Sequence, residues 1–95
     1  MRGVGGRRDS THGPIRDGLR ARGWTVLDTG DAGNGAPDLI AGKTGQTYLV
    51  ECKRPKGRER DGQAKAREAW RGGVWIVAMS LDDVLAAHRA KGFAA

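Results

Sequence analysis

The stretch that most constrains the fold is the run TYLVECK at residues 47–53. Its β-branched and aromatic side chains predict a β-strand, which Pro55 ends because proline cannot donate to the ladder. Side chains alternate along a strand, so Glu51 and Lys53 share one face, with their Cα atoms about 6.5–7 Å apart, and Cys52 points to the other. Because a buried charge is costly unless it is paired or bound to metal, this polar pair in an apolar strand needs an explanation.

Turn and helix signals place six further elements around this strand. Pro14 suits the first turn of a helix that Gly23 ends. Ser80 and Asp83 form a capping-box-like pair at the start of the last helix, which Gly92 ends. The predicted order is helix, strand, strand, strand, helix, strand, helix, with strands at residues 24–27, 38–41, 47–53 and 74–79, a hairpin connection at 42–46 and a middle helix at 58–71.

The chain has 95 residues, which is enough for one small domain with a thin core. A thin core needs large side chains, so we expect Trp24, Trp70 and Trp75 to be core anchors and His88 to be a partly buried structural residue. The single cysteine, Cys52, excludes an intrachain disulfide and a four-cysteine zinc site, and is typical of a reducing compartment.

The charge balance indicates a polyanionic partner. Seventeen Lys and Arg against eleven Asp and Glu give a net charge of +6, which makes nucleic acid the leading candidate. Residues 1–12 are rich in Gly and Arg and predict a flexible basic arm ahead of a single domain at residues 13–92. No apolar run reaches the ~20 residues of a membrane span and no secretory signal is present, so we expect a cytoplasmic protein without membrane contact.

The side chains best suited to catalysis lie in the two middle strands. If these strands form a hairpin across residues 42–46, Asp38 lies opposite Lys53 or close to it, and two carboxylates meet one ammonium group. Mg²⁺ prefers oxygen ligands and takes few of them from protein, so the trio suits a metal-assisted reaction on a phosphate. The competing interpretation is structural, with Asp38 as a turn residue and Glu51–Lys53 as an ordinary salt bridge.

This pattern has a counterpart in a known superfamily. The sequence APDLI at residues 36–40, followed by VECK at residues 50–53, resembles the P-D…(D/E)-x-K signature of the PD-(D/E)XK nucleases. Residues 12–86 further resemble small VRR-NUC domains and archaeal-type Holliday junction resolvases. The resemblance implies a restriction-endonuclease-like single α/β domain, α-β-β-β-α-β-α, with a central mixed sheet.

The resemblance also implies a role for each matched residue. Asp38 and Glu51 would ligate a divalent metal, with the backbone carbonyl of Cys52 as a further ligand. Lys53 would position water and offset phosphate charge. Gln63 matches a glutamine at the start of the helix after the motif and would face the site; a solvated helix residue is the alternative.

The chain departs from the family pattern in its first helix, where many relatives carry an acidic residue that completes the metal site. His12 stands near the corresponding place, with Asp9 and Asp17 as other candidates. A histidine there would suit a softer metal such as Mn²⁺ or would contact a phosphate. A merely solvated histidine is the alternative.

The expected function is a Mg²⁺- or Mn²⁺-dependent endonuclease that cleaves DNA, preferably branched DNA, as a homodimer and without a small-molecule cofactor. Two alternatives stay open: a nuclease-fold DNA-binding module that has lost activity, and a small basic interaction protein with a structural Glu51–Lys53 salt bridge. Basic residues after the motif form the expected phosphate-contacting surface. They are Arg54, Lys56, Arg58, Arg60, Lys65 and Arg67.

Overall fold

The computed structural model describes residues 10–59 and 61–95. Its elements follow the order α-β-β-β-α-β-α, which confirms the predicted fold class. They are α1 (His12–Ala21), β1 (Thr25–Asp28), β2 (Leu39–Lys43), β3 (Gln46–Cys52), α2 (Asp61–Ala69), β4 (Trp75–Ala78) and α3 (Leu81–Ala90). In this described part of the chain, no helix is long and apolar enough to cross a membrane. Residues 1–9 of the predicted basic arm lie outside it.

The four strands form one mixed sheet in the order β1-β2-β3-β4. The first three are antiparallel neighbours, and β4 runs parallel to β3. A tight turn at Thr44 and Gly45 joins β2 to β3, shorter than the connection predicted for residues 42–46, and Lys43 pairs with Gln46. Both turn residues have positive φ, 54° and 75°, the backbone conformation that matches a two-residue hairpin to the twist of its strands.

One face of the sheet carries the apolar core. Leu39, Ala41, Tyr48 and Val50 are fully buried on this face, and α1 and α3 cover them. The helices contribute side chains spaced one turn apart, which is why the two amphipathic segments pack there. These side chains are Ile15 and Leu19 from α1 and Val84 and Leu85 from α3.

His88 lies at the centre of this covered face and is fully buried, more deeply than predicted. The Tyr48 hydroxyl lies 2.7 Å from its Nδ1, and the Thr44 hydroxyl lies 3.3 Å from its Nε2. Both ring nitrogens are therefore satisfied if the imidazole is neutral and protonated on Nε2. Burial and the nearby positive charges of Lys43 and Lys91 lower the pKa of His88, which keeps it in that neutral form at pH 7.

The opposite face of the sheet is only partly covered. Strand register aligns four apolar side chains across it, from β1 to β4, and Leu27 at one end is 57% exposed. Helix α2 lies over the end of this face that Asp38 occupies. The four aligned residues are Leu27, Ile40, Leu49 and Trp75.

Two expectations about the second half of the chain are wrong. The middle helix occupies residues 61–69 rather than 58–71, because Pro55 and Lys56 form a turn closed by a hydrogen bond from the Gly57 N–H to the Arg54 carbonyl, and Lys56 has a φ of 66°. Trp70 therefore falls after the helix, where it is 45% exposed and is not a core anchor.

The start of α3 also differs in detail from the capping box predicted there. Ser80 is the N-cap residue, but its side chain makes no capping hydrogen bond. Instead, Asp83 accepts a hydrogen bond at 2.8 Å from the backbone N–H of Met79. This bond comes from the residue before the N-cap rather than from the N-cap itself, so it differs from a capping box but still fixes the entry of the chain into the helix.

Candidate active site

The hairpin brings Asp38 and Glu51 together across neighbouring strands. Leu39 pairs with Val50, so the next position in the same register places Asp38 opposite Glu51. The backbone N–H of Asp38 donates to the Val50 carbonyl at 2.9 Å, which continues the ladder to that point. Lys53 lies two positions further along the chain, so Asp38 lies close to Lys53, as predicted, but directly opposite Glu51.

Asp38 is almost completely buried, with 6% of its surface exposed. Its Oδ2 accepts a hydrogen bond at 2.8 Å from the backbone N–H of Cys52. The side-chain amide of Gln63 lies 3.4 Å from Asp38 Oδ1, and Gln63 is itself buried. Strand β3 and helix α2 thus fix this carboxylate from two sides, and Gln63 faces the site as the resemblance implied.

Glu51 has no exposed surface. Its Oε1 accepts a hydrogen bond at 3.2 Å from the indole N–H of Trp75, whereas its Oε2 is buried without a hydrogen-bond partner in the described part of the chain. Burial, together with the neighbouring carboxylate of Glu59, raises the pKa of Glu51 from 4.5 to about 7. A buried acceptor left unsatisfied costs about 1–3 kcal/mol, so this oxygen is poised to accept a proton or a cation.

Glu59 is a further acidic residue close to Glu51, and no sequence pattern had indicated it. Arg67 donates to both of its carboxylate oxygens, at 3.0 and 2.7 Å. These hydrogen bonds lower the pKa of Glu59, and the positive charge of Lys53 acts in the same direction. Glu59 therefore keeps a negative charge beside Glu51, and the region around Glu51 is more acidic than the motif alone suggested.

Lys53 extends from β3 on the same side of the sheet as Glu51. Its backbone N–H donates to the Ala78 carbonyl at 2.8 Å, which keeps the chain attached to β4 beyond the assigned end of the strand. The structure shows no ion pair between Lys53 and Glu51, although it describes both residues. The structural salt bridge considered as an alternative is therefore not formed.

A cleft of about 300 Å³ lies next to Gln63, between α2 and the loop that precedes β2. The loop and the helix approach very closely: a Cβ atom on Gly35 would lie 2.4 Å from the carbonyl oxygen of Gly62. Glycine is needed at position 35 for this contact and for its positive φ of 81°. The cleft is lined by Gly33, Asn34, Gly35, Ala36, Gly62 and Gln63.

His12 is buried but engages a different carboxylate. Its Nε2 lies 3.0 Å from Asp28 Oδ2, which also accepts a hydrogen bond from Arg16 at 3.0 Å. Burial opposes ionisation of Asp28, but hydrogen bonds from His12, the Gly30 N–H and Arg16 hold its pKa well below the usual range. Within residues 10–59 and 61–95, no three His, Cys, Asp or Glu side chains converge on a possible metal position. The structure therefore does not bring His12 to Asp38 and Glu51.

The basic residues after the motif differ in their settings. Arg54, Lys56, Arg58 and Lys65 are exposed, as a phosphate-contacting surface requires. Arg67 is instead occupied by its two hydrogen bonds to Glu59. Arg60 falls outside the described residues, and the Cys52 carbonyl remains a predicted ligand.

Comparison with known proteins supports the same fold. No protein-family model and no curated protein sequence matches the chain. A solved structure described as a VRR-NUC domain superposes on it with a TM-score of 0.61 and 26% sequence identity, over 82% of this chain and 91% of that chain. The mixed four-stranded sheet, the three helices and this likeness agree with the motif at Asp38 and Glu51. The chain thus has a VRR-NUC-like fold of the PD-(D/E)XK nuclease kind, and this likeness supports a nuclease-type domain.

Proposed function

We propose that this protein is a divalent-metal-dependent endonuclease that hydrolyses DNA phosphodiester bonds. The observation that carries the proposal is the buried pair Asp38 and Glu51, in which Glu51 Oε2 has no partner among the described residues. Two adjacent buried carboxylates repel one another unless a positive charge compensates them. Because the fold is shared with a VRR-NUC domain, we take the compensating positive charge to be a catalytic metal ion.

The donor set fits Mg²⁺ or Mn²⁺. Asp38 and Glu51 supply oxygen ligands, and the Cys52 carbonyl would add a third from the backbone. Mg²⁺ commonly keeps several waters and binds one or two carboxylates together with substrate phosphate, so a site with few protein ligands is suitable. A bound metal would polarise the phosphate and lower the pKa of a coordinated water.

The other residues of the site act on the substrate and on the carboxylates. Lys53 places an ammonium group on the same side of the sheet as Glu51, where it would offset the charge that develops on the phosphate. Gln63 holds Asp38 in place from α2. The exposed side chains of Arg54, Lys56 and Arg58 would contact neighbouring phosphates along the DNA backbone.

Branched DNA, such as a Holliday junction or a flap, is the proposed substrate class. The support is the resemblance of residues 12–86 to archaeal-type Holliday junction resolvases. A homodimer is proposed on the same basis, because a domain of this size presents one site and two strands must be cut. In this arrangement each subunit cleaves one strand.

Cleavage of labelled DNA tests the proposal. Linear duplex, single-stranded, flap and four-way-junction DNA would be incubated with Mg²⁺, with Mn²⁺ or with EDTA. Lys53→Ala should reduce the metal-dependent rate at least about 100-fold, the effect of removing one group that stabilises developing charge. Lys91→Ala is the matched control, since Lys91 lies on the covered side of the sheet, over the Tyr48 ring. Absence of cleavage by folded wild-type protein with both metals would contradict the proposal.

The engagement of His12 with Asp28 favours one alternative, a nuclease-fold module that binds DNA without cutting it. That arrangement leaves the first helix without a contribution to the Asp38–Glu51 pair in the described residues. Such a module would bind DNA with an affinity that falls steeply with salt and is unchanged by EDTA. A metal-dependent cleavage rate would exclude it.

A further inference from the structure

Trp75 contacts the proposed metal ligand Glu51 directly, although sequence analysis had assigned it only to the core. It opens β4 and pairs with Leu49, two positions before Glu51 on β3. From there its indole N–H reaches diagonally to Glu51 Oε1 at 3.2 Å. An indole nitrogen can only donate, so this contact fixes one carboxylate oxygen as its acceptor.

The neighbouring Trp70 has a different hydrogen-bond partner. Its ring packs edge-to-face against Trp75, with centroids 6.2 Å apart and planes inclined at 65°. Its own indole N–H donates to the Gly73 carbonyl at 2.8 Å. The two indoles thus lie side by side, and only that of Trp75 reaches Glu51.

The hydrogen bond from Trp75 makes the two carboxylate oxygens of Glu51 inequivalent. The terminal torsion of a glutamate side chain is broad and roughly two-fold, so a carboxylate without fixed partners can rotate between several orientations. Here Oε1 is held by Trp75, and Oε2 is buried without a partner in the described part of the chain. The orientation that leaves Oε2 available is therefore selected before any cation arrives.

We propose that Trp75 is a positioning residue that orients Glu51 for metal binding by holding Oε1 and leaving Oε2 to the metal. This inference rests on the proposed function, because it assigns Trp75 to the same metal site. It predicts that the indole N–H contributes to metal affinity without touching the substrate. Groups that orient a metal ligand in this way typically change metal affinity or activity about 10- to 100-fold when they are removed.

The first test is calorimetric titration of DNA-free protein with Mn²⁺ and with Mg²⁺. Trp75→Phe keeps an aromatic ring against Trp70 but lacks the N–H, and it should weaken metal binding about 10- to 100-fold. Trp70→Phe is the matched control, because it removes a neighbouring indole that does not contact Glu51, and its affinity should equal that of wild type. Wild-type affinity in folded Trp75→Phe would overturn the inference.

A second measurement uses the unmutated protein and does not depend on whether Trp75→Phe folds. In protein labelled with ¹⁵N on tryptophan, the three indole N–H signals report each ring separately. Trp70→Phe and Trp24→Phe assign two of them by their disappearance, which leaves the third to Trp75. Addition of Mg²⁺ should shift the Trp75 signal with the midpoint found by calorimetry and leave that of Trp70 in place. A Trp75 signal unchanged at saturating Mg²⁺ would overturn the inference.

Kinetics separates positioning of Glu51 from a general loss of structure. At subsaturating Mg²⁺, Trp75→Phe should cleave DNA about 10- to 100-fold more slowly, and higher Mg²⁺ should restore the rate with the KM for DNA unchanged. If wild type binds no metal and cuts no DNA, both the proposed function and this inference fail. If wild type does both and Trp75→Phe matches it at every metal concentration, only the inference fails.

Discussion

His88 and Glu51 are both fully buried, on opposite faces of the same sheet, but their polar atoms differ in how they are satisfied. On the covered face, Tyr48 and Thr44 provide a partner for each ring nitrogen of His88. On the opposite face, Glu51 has one oxygen bound to Trp75 and one without a partner in the described residues. The first arrangement stabilises the fold, whereas the second leaves a buried acceptor that can take up a proton or a cation.

The comparison indicates that one face of the sheet stabilises the fold and that the other carries the candidate site. The covered face combines apolar packing by α1 and α3 with the neutral, paired imidazole of His88, and its one unpaired buried group among the described residues is the uncharged indole N–H of Trp24. The opposite face holds carboxylates whose pKa values are shifted in opposite directions, Glu51 upward and Glu59 downward. Perturbed ionisable groups of this kind concentrate at functional sites.

The largest expected difference in stability is between two leucine substitutions, one on each face of the sheet. Leu39→Ala should lower the free energy of unfolding by about 2–5 kcal/mol, because Leu39 is fully buried in the core. Leu27→Ala should change it by less than about 1 kcal/mol, because Leu27 is 57% exposed on the open face. Urea denaturation measures both values. Equal losses from the two substitutions would contradict the division between the faces.

A smaller effect, of opposite sign, is expected at Glu51. Its pKa is about 7 in the folded protein, against 4.5 as its ordinary value, so folding favours the protonated form. Above pH 7 the folded state must carry a buried charge, and below about pH 4.5 both states are neutral. Glu51→Gln should therefore stabilise the metal-free protein by at most about 3 kcal/mol at pH 8, with the gain vanishing as the pH falls from 7 towards 4.5.

Metal provides the control for the Glu51 prediction. Mg²⁺ should raise the unfolding midpoint of the wild type at pH 8 and leave that of Glu51→Gln unchanged, because a ligand stabilises only the state that binds it. A structural salt bridge would give the opposite result at pH 8. In that case Glu51→Gln would be destabilised with or without Mg²⁺.

The smallest effect is expected at Tyr48. Tyr48→Phe removes the hydrogen bond to His88 Nδ1 and should cost about 0.5–1.5 kcal/mol at pH 7. Denaturation at pH 7 measures the loss, and DNA cleavage at a fixed Mg²⁺ concentration should remain at the wild-type rate. A fall in cleavage as large as that of Lys53→Ala would show that the two faces do not act separately.

Acid should weaken the covered face in particular. The pKa of His88 is lowered by burial and by Lys43 and Lys91, so the unfolded chain binds a proton more readily than the folded protein does. Stability from this group is fully present above the ordinary pKa of 6.5 and declines as the pH falls below it. Comparison of wild type with His88→Gln across pH 5–8 would isolate this contribution from that of Glu51.

The sequence was sufficient to predict the element order and the meeting of Asp38 and Glu51 across two adjacent strands. Period-two and helical patterns are local properties, and the spacing of Asp38, Glu51 and Lys53 places them in adjacent strands. The register between those strands was not predictable from the same information. It depends on Thr44 adopting a positive φ beside Gly45, an unfavourable conformation for a threonine that the pattern of side chains does not encode.

The partners of Glu51 were also beyond local reasoning. Glu59 lies in an irregular segment with no periodicity, and its place at the site depends on Arg67, eight residues later on α2. Trp75 was assigned to the core by its size, and its donor function appears only once β4 is aligned parallel to β3. Both contacts are tertiary, so neither residue type nor spacing along the chain specifies them.

The two-residue turn at Thr44 and Gly45 has a consequence for how the chain can change in length. Side chains in a strand alternate with a period of two, so one residue added to the turn would shift the pairing by one step and turn a whole set of side chains towards the wrong face. Asp38 and Glu51 could then no longer stand opposite one another. Insertions and deletions among related chains should therefore avoid this hairpin and accumulate in irregular segments such as residues 54–58.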